Sequence, residues 1–594
     1  MTVQPRHGCW RVVRRGWPRA GVGDSHAVEQ GLAFWDLSLP QLDQLYVLAL
    51  IDCVRDMTKM GRLWGLEGEL MMVRRRSLAF VGVAILAPLV VSAVSAQAAS
   101  GSLAVTTLGR HGGKVSTTVT VVAVPSGQTY RVKSGKRISL PSGRYIAMTD
   151  IYESATDGSG TDTIGAQVVQ VSGSTSVTLD ARKGKAVKVS LDTPADVTGP
   201  PQISAQVCAA TVGNMPSAFS AGGWNEQGAL YAIPNSSKLL QFGYMAQWSG
   251  NDSYVTVKNT TGIPAAPGGS FTRSKLATMR FSVRSGTQIG RQNSIALQAQ
   301  PKVDDCTTDL MAGVHDDSAP YSAVAHVTPG TWQPRDDIFA SNGDDVGGGF
   351  PKVRTLKAGQ SFTQYFGRAA WSPMHYLPMV GHKSVTFFPD ALLGDPDVGV
   401  SGADPTKETV VLSKGGTTIK KQTLTNWGSS DAEFSAGIRS VGWYHLTVDA
   451  HRYRPGITFP TGMLSSRATL DWYFKADPAK SVVAPVFLTR FLPTGLNSHN
   501  QAAPNSTTTV GVSAGRGSQG PDVKFTTVSA KSVRVWSSAD GGKTWKAAAV
   551  KHSGSTWQAS VHNPASGVVA LRSEVTDSVG DRSVETVYRA YAIG

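Results

Sequence analysis

Cysteine and charge are both scarce in this sequence of 594 residues. It holds only 4 cysteines, and Asp, Glu, Lys and Arg together make up 17%. So little charge argues against a disordered polyelectrolyte, and the 41% of hydrophobic residues is enough for ordinary cores. The sequence also contains no H-E-x-x-H segment, no P-loop and no paired C-x-x-C. These absences exclude the commonest metalloprotease, nucleotide-binding and zinc-binding classes.

Two glycine-rich strings near residue 515 lack the context that their chemistry requires. Residues 511–515 match G-x-S-x-G, but a nucleophile elbow needs a strand that turns into a helix, and "RGSQGPDV" follows instead. Residues 515–520 match G-x-G-x-x-G, yet Pro521 and Asp522 stand where a phosphate-binding helix would begin. We therefore expect a loop over 515–520 and no site.

The net charge of +15 does not indicate a nucleic-acid partner. Nucleic-acid binders concentrate their cations on one face or interleave them with aromatic residues. Here the basic residues are scattered, and the densest run is "ARKGK" at 181–185. We expect a solvated basic surface and no binding of nucleic acid, while attraction to an anionic cell wall or polysaccharide stays open.

Residues 71–98 have the three parts of a secretory signal peptide: a run of three arginines, an apolar stretch and an A-x-A cleavage site. Pro88 interrupts the apolar stretch, which is short for a membrane span. We predict a secreted protein with no membrane span in its mature chain, exported by the general secretory or the twin-arginine route. Because a signal peptide begins a chain, residues 1–70 are predicted to be an untranslated extension, with the true start at Met71 or Met72.

Two cysteines remain once that extension is set aside, Cys208 and Cys306. An isolated pair in an exported chain is typical of a disulfide, and two buried free thiols are the alternative. Closing a loop of roughly 98 residues would stabilise the fold by about 4–5 kcal/mol in the chain-entropy model.

The distribution of turn residues predicts many short strands. The 63 glycines and 31 prolines punctuate segments rich in Val, Thr and Ser, and no long amphipathic helix is evident. The fold class is therefore predicted to be all-β, with tandem transthyretin-like or Ig-like β-sandwiches. The expected modules are 99–195, 200–330, 331–480 and 481–594, of which the last has the strand spacing of an Ig-like or fibronectin-III-like sandwich.

The segment "GWYHLTVDAHRY" (442–453) offers the best candidate catalytic residues. Period-two geometry places His445, Asp449 and His451 on one face of a strand, together with Trp443 and Thr447. Asp449 and His451 could ligate a metal or share a proton. A solvated polar face is the ordinary explanation of the same pattern.

Pairs of aspartates could supply oxygen ligands for calcium. They are Asp304-Asp305, Asp316-Asp317, Asp336-Asp337, Asp344-Asp345 and Asp395-x-Asp397. None has the ordered spacing of a known calcium loop. The sequence therefore predicts no cofactor and leaves calcium as a minor hypothesis.

The stretch "SSADGGKTW" (537–545) contains the Asp-box pattern S-x-D-x-G-x-T-W, formed by Ser538, Asp540, Gly542, Thr544 and Trp545. Asp540 can accept N–H groups within a turn, Gly542 can take positive φ, and Trp545 can pack beneath a hairpin. Sialidase-type propellers repeat this motif and add an F-R-I-P segment, whereas this chain has one copy and no F-R-I-P. We interpret the motif as a structural hairpin.

Several segments resemble the accessory β-domains that follow the catalytic domain in large secreted bacterial subtilisin-like serine proteases. They are "VTLDARKGKAVKVSLD" (177–192), "LKAGQSFTQYFGRAAWSP" (356–373), "ATLDWYFKADPAK" (468–480), "VWSSADGGKTWKAA" (535–548) and "VVALRSEVTDSVGDRSVETVYRAYAI" (568–593). The resemblance implies a multidomain extracellular β protein. The family's H-G-T-H and G-T-S-x-[AS] segments are absent, and "RHGGK" (110–114) has Gly113 where Thr is required. The sequence therefore lacks the paired base and nucleophile that serine-protease catalysis requires.

Together these features predict a secreted, non-enzymatic protein that binds or scaffolds an extracellular protein, cell-wall polymer or polysaccharide. One alternative is a hydrolase whose site lies within 203–480, with His445, Asp449 and His451 as the first residues to test. Another is a remnant or separately encoded partner of a subtilisin-like protease.

Overall fold

The computed structural model describes most of the chain from residue 100 onward. The described residues are 2–6, 9–13, 100–154, 160–192, 197, 199–210, 220–287, 292–300, 306–308, 310–340, 343, 345–373, 376–389, 392–398, 406–426, 432–517, 525–527, 530–554 and 556–594. The predicted signal peptide at 71–98 lies outside them, as does the extension at 1–70 apart from the paired strands β1 (Thr2–Arg6) and β2 (Cys9–Val13). The chain is all-β, as predicted, and its described helices are two single 3₁₀ turns, Ala181–Lys183 and Arg273–Lys275.

The first region is a small β-sandwich. Its strands are β3 (Ser100–Leu108), β4 (Thr118–Val124), β5 (Thr129–Lys133), β6 (Arg137–Pro141), β7 (Gly143–Ser154), β8 (Gly160–Val171), β9 (Ser174–Asp180), β10 (Lys185–Ala186) and β11 (Lys188–Leu191). One sheet has the order β6-β3-β9, and the other contains β8-β7-β4-β5. Leu103 and Val105 of the first sheet pack against Val121 and Tyr145 of the second in a shared core.

The second region builds two further sheets. Its strands are β12 (Gln202–Ala209), β13 (Ser220–Glu226), β14 (Leu230–Ala232), β15 (Leu240–Ser249), β16 (Ser253–Thr261), β17 (Gly268–Phe271), β18 (Ala277–Val283), β19 (Gln292–Ala299), β20 (Met311–Asp317), β21 (Tyr321–Val327), β22 (Gly330–Phe339), β23 (Asp345–Gly349), β24 (Arg354–Leu356) and β25 (Ser361–Phe366). The sheet orders are β13-β12-β15-β16-β21-β18-β25 and β20-β19-β22-β23. Strand β14 pairs in parallel with β8, and β17 with β11, so hydrogen bonds join this region to the first.

The last two regions share one large sheet. Their strands are β26 (Met379–Gly381), β27 (Ser384–Phe387), β28 (Thr406–Lys414), β29 (Thr417–Asn426), β30 (Phe434–Gly437), β31 (Gly442–Arg452), β32 (Arg467–Ala476), β33 (Val482–Val483), β34 (Leu488–Pro493), β35 (Gln501–Ala502), β36 (Thr507–Gly517), β37 (Phe525–Thr527), β38 (Ser532–Ser538), β39 (Lys546–Ala547), β40 (Ala549–Ser553), β41 (Thr556–His562), β42 (Gly567–Thr576) and β43 (Arg582–Ile593). The large sheet has the order β29-β28-β31-β32-β43-β42-β38-β39. Because β32 pairs with β43, hydrogen bonding crosses the predicted boundary between 480 and 481.

The predicted loop over 515–520 is wrong for its first part. Residues 515–517 continue β36, where Gly515 pairs with Leu488 on one side and with Thr527 on the other. Ladder hydrogen bonds from β34 and β37 hold this glycine-rich segment extended, although glycine weakens a strand on its own.

The predicted disulfide is confirmed. Cys208 on β12 is bonded to Cys306, 98 residues along the chain, and both are buried. The bond therefore ties β12, the strand that pairs with β13, to a turn far along the chain.

Two tyrosines fix strand entries in the way typical of Ig-like sandwiches. The hydroxyl of Tyr145 donates to the carbonyl of Pro141, and that of Tyr444 donates to the carbonyl of Ser440, each at 2.7 Å. Both rings are buried. Each tyrosine anchors the chain four residues before itself, just ahead of the start of its own strand, so the entry into β7 and into β31 is fixed locally.

Candidate binding face

Strand β31 divides its residues between the core and the solvent. Strict alternation buries Tyr444, Leu446, Val448 and Ala450. The residues between them point outward, and these are Trp443, His445, Thr447, Asp449 and His451. The candidate catalytic residues therefore lie on the open face of the large sheet.

His445 is held by a carboxylate from the neighbouring strand. Its Nε2 lies 2.6 Å from Oδ1 of Asp471 on β32, and the two side chains are 37% and 39% exposed. The hydrogen bond with Asp471 raises the pKa of His445 above its ordinary value, although partial burial acts in the opposite direction. The pair is a solvent-accessible His–Asp contact near the middle of the sheet.

Asp449 is engaged by an arginine as well as by a histidine. Arg467 donates from Nε and Nη2 to the two oxygens of Asp449, both at 2.8 Å. His451 Nε2 lies 3.2 Å from Asp449 Oδ1. The Arg467 guanidinium also lies 4.5 Å from the ring centroid of Tyr588 on β43. The three candidate residues thus separate into two contacts, one centred on Asp471 and one on Asp449.

Aromatic rings continue the same face toward its end. Trp443 and Tyr473 stack with ring centroids 5.1 Å apart and an interplanar angle of 3°. Tyr473 is 38% exposed. A stacked, half-exposed pair on an open sheet presents a flat apolar surface beside the polar contacts.

The Asp-box turn is a closed hydrogen-bond network. Asp540 Oδ1 accepts the main-chain N–H groups of Lys543 and Thr544 at 3.0 and 2.9 Å, and Oδ2 accepts the Thr544 hydroxyl at 2.6 Å. The Ser538 hydroxyl donates to Asp540 Oδ1 at 2.7 Å and accepts the Gly542 N–H at 2.9 Å. These bonds, led by that from the Thr544 hydroxyl, hold the pKa of Asp540 well below its usual range.

This turn lies against the open face of the large sheet. Gly542 has φ +91°, and a Cβ there would come within 2.9 Å of Tyr588 and 3.3 Å of Trp545. The guanidinium of Arg572 lies 3.9 Å from the ring centroid of Trp545. Gly542 therefore allows the turn to approach the Tyr588 ring closely, and Trp545 extends the row of ring–guanidinium contacts.

We define the basic face as the outward side chains of β28, β29, β31, β32, β38, β42 and β43. Strand register places these side chains side by side in cross-strand rows. Its basic members are Lys407, Lys421, Arg467, Lys475, Arg534, Arg572 and Arg582, and its acidic members are Asp449, Asp471 and Glu574. Basic side chains therefore outnumber acidic ones on this open side of the sheet.

Two of the aspartates considered for calcium, Asp395 and Asp397, are bound by protein groups. Asp395 accepts the N–H groups of Arg368 and Asp397, and Asp397 pairs with the Arg368 guanidinium at 2.6 Å. Asp304-Asp305 and Asp344 lie outside the described residues. Within the described part of the chain, no three His, Cys, Asp or Glu side chains are grouped to hold a metal ion.

None of the described helices has the length and hydropathy needed to cross a bilayer.

No protein-family model and no curated protein matches the chain. Among solved structures, the Bacillus anthracis TIE protein aligns with 45% of this chain and 50% of its own length, with 11% identity and a TM-score of 0.11. BcpA, the major pilin subunit of Bacillus cereus, aligns over 45% of this chain and 98% of its own, with 9% identity and a TM-score of 0.10. Sidekick-1 immunoglobulin domains 1–5 align over 79% and 91%, with 8% identity and a TM-score of 0.10. TM-scores this low do not establish a common fold.

Sequence reasoning missed the partners that define the face. Asp471, Arg467, Tyr588 and Arg572 come from three other strands, and nothing near His445 in the sequence points to them. The outward alternation of β32, in which Arg467, Asp471 and Tyr473 recur at even spacing, was the available signal.

Proposed function

We propose that this protein is an extracellular, non-enzymatic binding scaffold whose basic face holds an anionic polysaccharide or cell-wall polymer. The observation that supports this proposal is the excess of basic over acidic side chains on one open sheet. An array of cations along cross-strand rows complements a polymer that carries regularly spaced negative charges.

Arg572 of the basic face is arranged to bind as well as to attract. Its guanidinium lies over the ring of Trp545, which fixes the plane of the group, whereas the Nε and Nη2 donors of Arg467 are taken by Asp449. Fixed guanidinium groups lose less conformational freedom when they contact a carboxylate or phosphate. The proposed ligand would therefore lie across the strands, above the ring–guanidinium contacts.

Binding fits the geometry better than hydrolysis. Asp449 already accepts two hydrogen bonds from Arg467, and Asp471 is engaged by His445. A carboxylate saturated in this way is a poor general base, because the bound cation stabilises its charged form. These contacts therefore support a permanent network of ion pairs and hydrogen bonds on the protein surface.

Secretion is part of the proposal. The disulfide between Cys208 and Cys306 suits an oxidising compartment. The signal-peptide pattern at 71–98 points to the same location. Finding the protein in the culture medium with its N-terminus near residue 99 would support this part.

The binding test compares two triple variants that each lose three positive charges. Lys407→Ala, Lys421→Ala and Lys475→Ala remove basic-face lysines, whereas Lys133→Ala, Lys136→Ala and Lys183→Ala remove exposed lysines of the first region. At about 1 kcal/mol for each basic residue near an anionic surface, the first set should weaken binding to polygalacturonate on the order of 100-fold. The second set should change it little, and neutral dextran should not be retained.

Equal losses in the two triple variants would contradict the proposal, because they would show attraction to the whole charged molecule. Failure of the unmodified protein to bind polygalacturonate and purified cell wall alike would contradict it as well. Circular dichroism of all variants checks that the fold is intact.

The hydrolase alternative has a direct test. A broad peptidase and glycosidase screen is expected to show no turnover, because the candidate carboxylates are engaged by Arg467 and His445. Robust turnover that His451→Ala abolishes would overturn the non-enzymatic proposal.

The resemblance to protease accessory domains suggests a specific protein partner as a second proposal. The segments that carry it run from 177 to 593, so they span both the first region and the large sheet. Co-purification of the secreted protein with a subtilisin-like protease would support it, and recovery of the protein without any protease would count against it.

A further inference from the structure

A cleft of about 940 Å³ opens where the first region meets the second, far along the chain from the basic face. Its walls come from the ends of β7 and β8, from the start of β12, and from the edge strand β13 and the turn after it. This volume falls within the roughly 300–1,000 Å³ of small-ligand sites.

Two large aromatic side chains stand exposed in this cleft. Trp224 on β13 is 67% exposed, and Tyr152 on β7 is 51% exposed. Exposing a tryptophan to this extent forgoes its burial energy, so such rings often mark contact surfaces. Gly160 supports the arrangement, because a Cβ at that position would collide with the Tyr152 ring.

The cleft has two carboxylates and one histidine, His111, among its lining side chains, in a chain whose net charge is +15. Glu153 and Glu226 line it, and none of its lining residues is Lys or Arg. Glu153 accepts the main-chain N–H of Arg110, and Gly109 leaves room for the carboxylate, since a Cβ there would overlap it. Glu226 accepts a hydrogen bond from the Gln202 side-chain amide at 3.1 Å. Both carboxylates are thus held in place by protein donors.

We infer that this cleft binds an oligosaccharide that carries free amino groups, such as a β-linked glucosamine chain. An ammonium group is attracted both to carboxylates and to the faces of aromatic rings, and the cleft presents both. A pyranose offers an apolar C–H face that fits against Trp224 or Tyr152. An acidic polymer would be repelled by Glu153 and Glu226.

A glycan fits the cleft better than a basic peptide does. An extended peptide would add to the free edge of β13, but the Trp224 main-chain N–H on that edge is already hydrogen-bonded to Asp162. Sugar hydroxyls need side-chain donors and acceptors instead. The hydroxyls of Ser154 and Thr161 line the cleft and can act as both.

This inference rests on the proposed function only for the extracellular location of the ligand, because the cleft and the basic face share no residue. Isothermal calorimetry with three probes tests it: a glucosamine hexamer, the N-acetylglucosamine hexamer and a hexalysine peptide. The glucosamine hexamer should bind most tightly. Trp224→Ala should weaken it roughly tenfold or more, the scale of a lost ring contact to a desolvated cation.

Two further variants keep the test independent of folding and of the basic face. Glu226→Gln preserves the shape of an exposed side chain and should weaken the glucosamine hexamer severalfold while leaving the N-acetylated hexamer unchanged. Tyr473→Ala, which removes a half-exposed ring of the basic face, is the matched control and should leave all three probes unchanged. Binding of polygalacturonate should survive Trp224→Ala, so the two proposals fail separately.

Three results would overturn the inference. Hexalysine binding at least as tightly as the glucosamine hexamer would assign the cleft to a basic peptide. Equal affinity for the two hexamers would remove the role of the carboxylates. No binding of either hexamer by the folded protein would remove the glycan site.

Discussion

The basic face and the acidic cleft present opposite chemistry in one chain. The face is an open sheet on which basic residues outnumber acidic ones, and its rings are stacked against each other or covered by guanidinium groups. The cleft is concave, has no lysine or arginine in its lining, and leaves Trp224 and Tyr152 uncovered. The net charge of a large multidomain chain therefore says little about what a given surface binds.

The two surfaces also arise from different structural features. Strand alternation alone produces the basic face, since every second residue of a half-buried strand points outward. The cleft needs residues 111, 152–154, 160–161, 202 and 224–229 to meet, with glycines that make room for its side chains. Its geometry should therefore be the easier of the two to disturb.

The largest expected effect concerns the disulfide, which supports the cleft side only. Replacing both Cys208 and Cys306 by Ser should lower the free energy of unfolding by about 4–5 kcal/mol, because the open loop gains conformational entropy when unfolded. Cys208 lies on β12, which pairs with the strand that carries Trp224. Hydrogen exchange should accelerate in β12 and β13 and stay unchanged in β31 and β32. Equal acceleration in all four strands would show that the two surfaces unfold as one unit.

The next largest expected effect is a pH dependence of the free energy of unfolding, which comes from one buried carboxyl group near each surface. Burial raises the pKa of Glu585, on the buried side of the large sheet, to about 8, and the charge of Arg490 offsets part of this rise. Burial likewise raises the pKa of Asp162, near the cleft, to about 6. The folded state then holds a proton that the unfolded chain releases near pH 4–5. The free energy of unfolding should therefore fall as the pH rises, up to about 6 for Asp162 and about 8 for Glu585.

Between pH 6 and 8 the free energy of unfolding should fall by about 2 kcal/mol in the unmodified protein, and Glu585→Gln should remove this fall, as measured by urea unfolding. Asp162→Asn should remove the pH dependence of the free energy of unfolding only below pH 6. Glu574→Gln, on the same sheet but on its open face, is the control. A slope between pH 6 and 8 that persists in Glu585→Gln would show that another group carries it.

A smaller effect is expected from salt. Raising NaCl from 0.1 to 1 M shortens the Debye length from about 10 Å to about 3 Å, which should weaken polygalacturonate binding on the basic face by about tenfold or more. The glucosamine hexamer should lose only about threefold, because contact with the rings of Trp224 and Tyr152 does not depend on salt. Fluorescence titrations at both salt concentrations measure this, and equal losses would place both ligands on surfaces of the same kind.

The local sequence pattern predicted which side chains of a single strand point outward, whereas the contacts between strands depend on long-range pairing that the pattern does not specify. The alternation over 442–452, the disulfide and the all-β class follow from spacing and composition. The contacts of His445 with Asp471 and of Arg467 with Tyr588 require β31, β32 and β43 to be neighbours, and no local feature specifies that order. The cleft was missed because its exposed Trp224 stands in a glycine-rich segment with no strand-like alternation.

The smallest expected effect is a pH dependence of binding that is confined to the basic face. Because Asp471 raises the pKa of His445, lowering the pH through that value adds a positive charge to the basic face and should strengthen polygalacturonate binding slightly. The raised pKa also means that the His–Asp contact stabilises the fold at low pH and is lost as the pH rises through it, by a few tenths of a kcal/mol at this exposure. Asp471→Asn should lower the pKa of His445 in an NMR titration and remove the gain for polygalacturonate alone; a change in hexamer binding in this variant would show that the two surfaces are coupled.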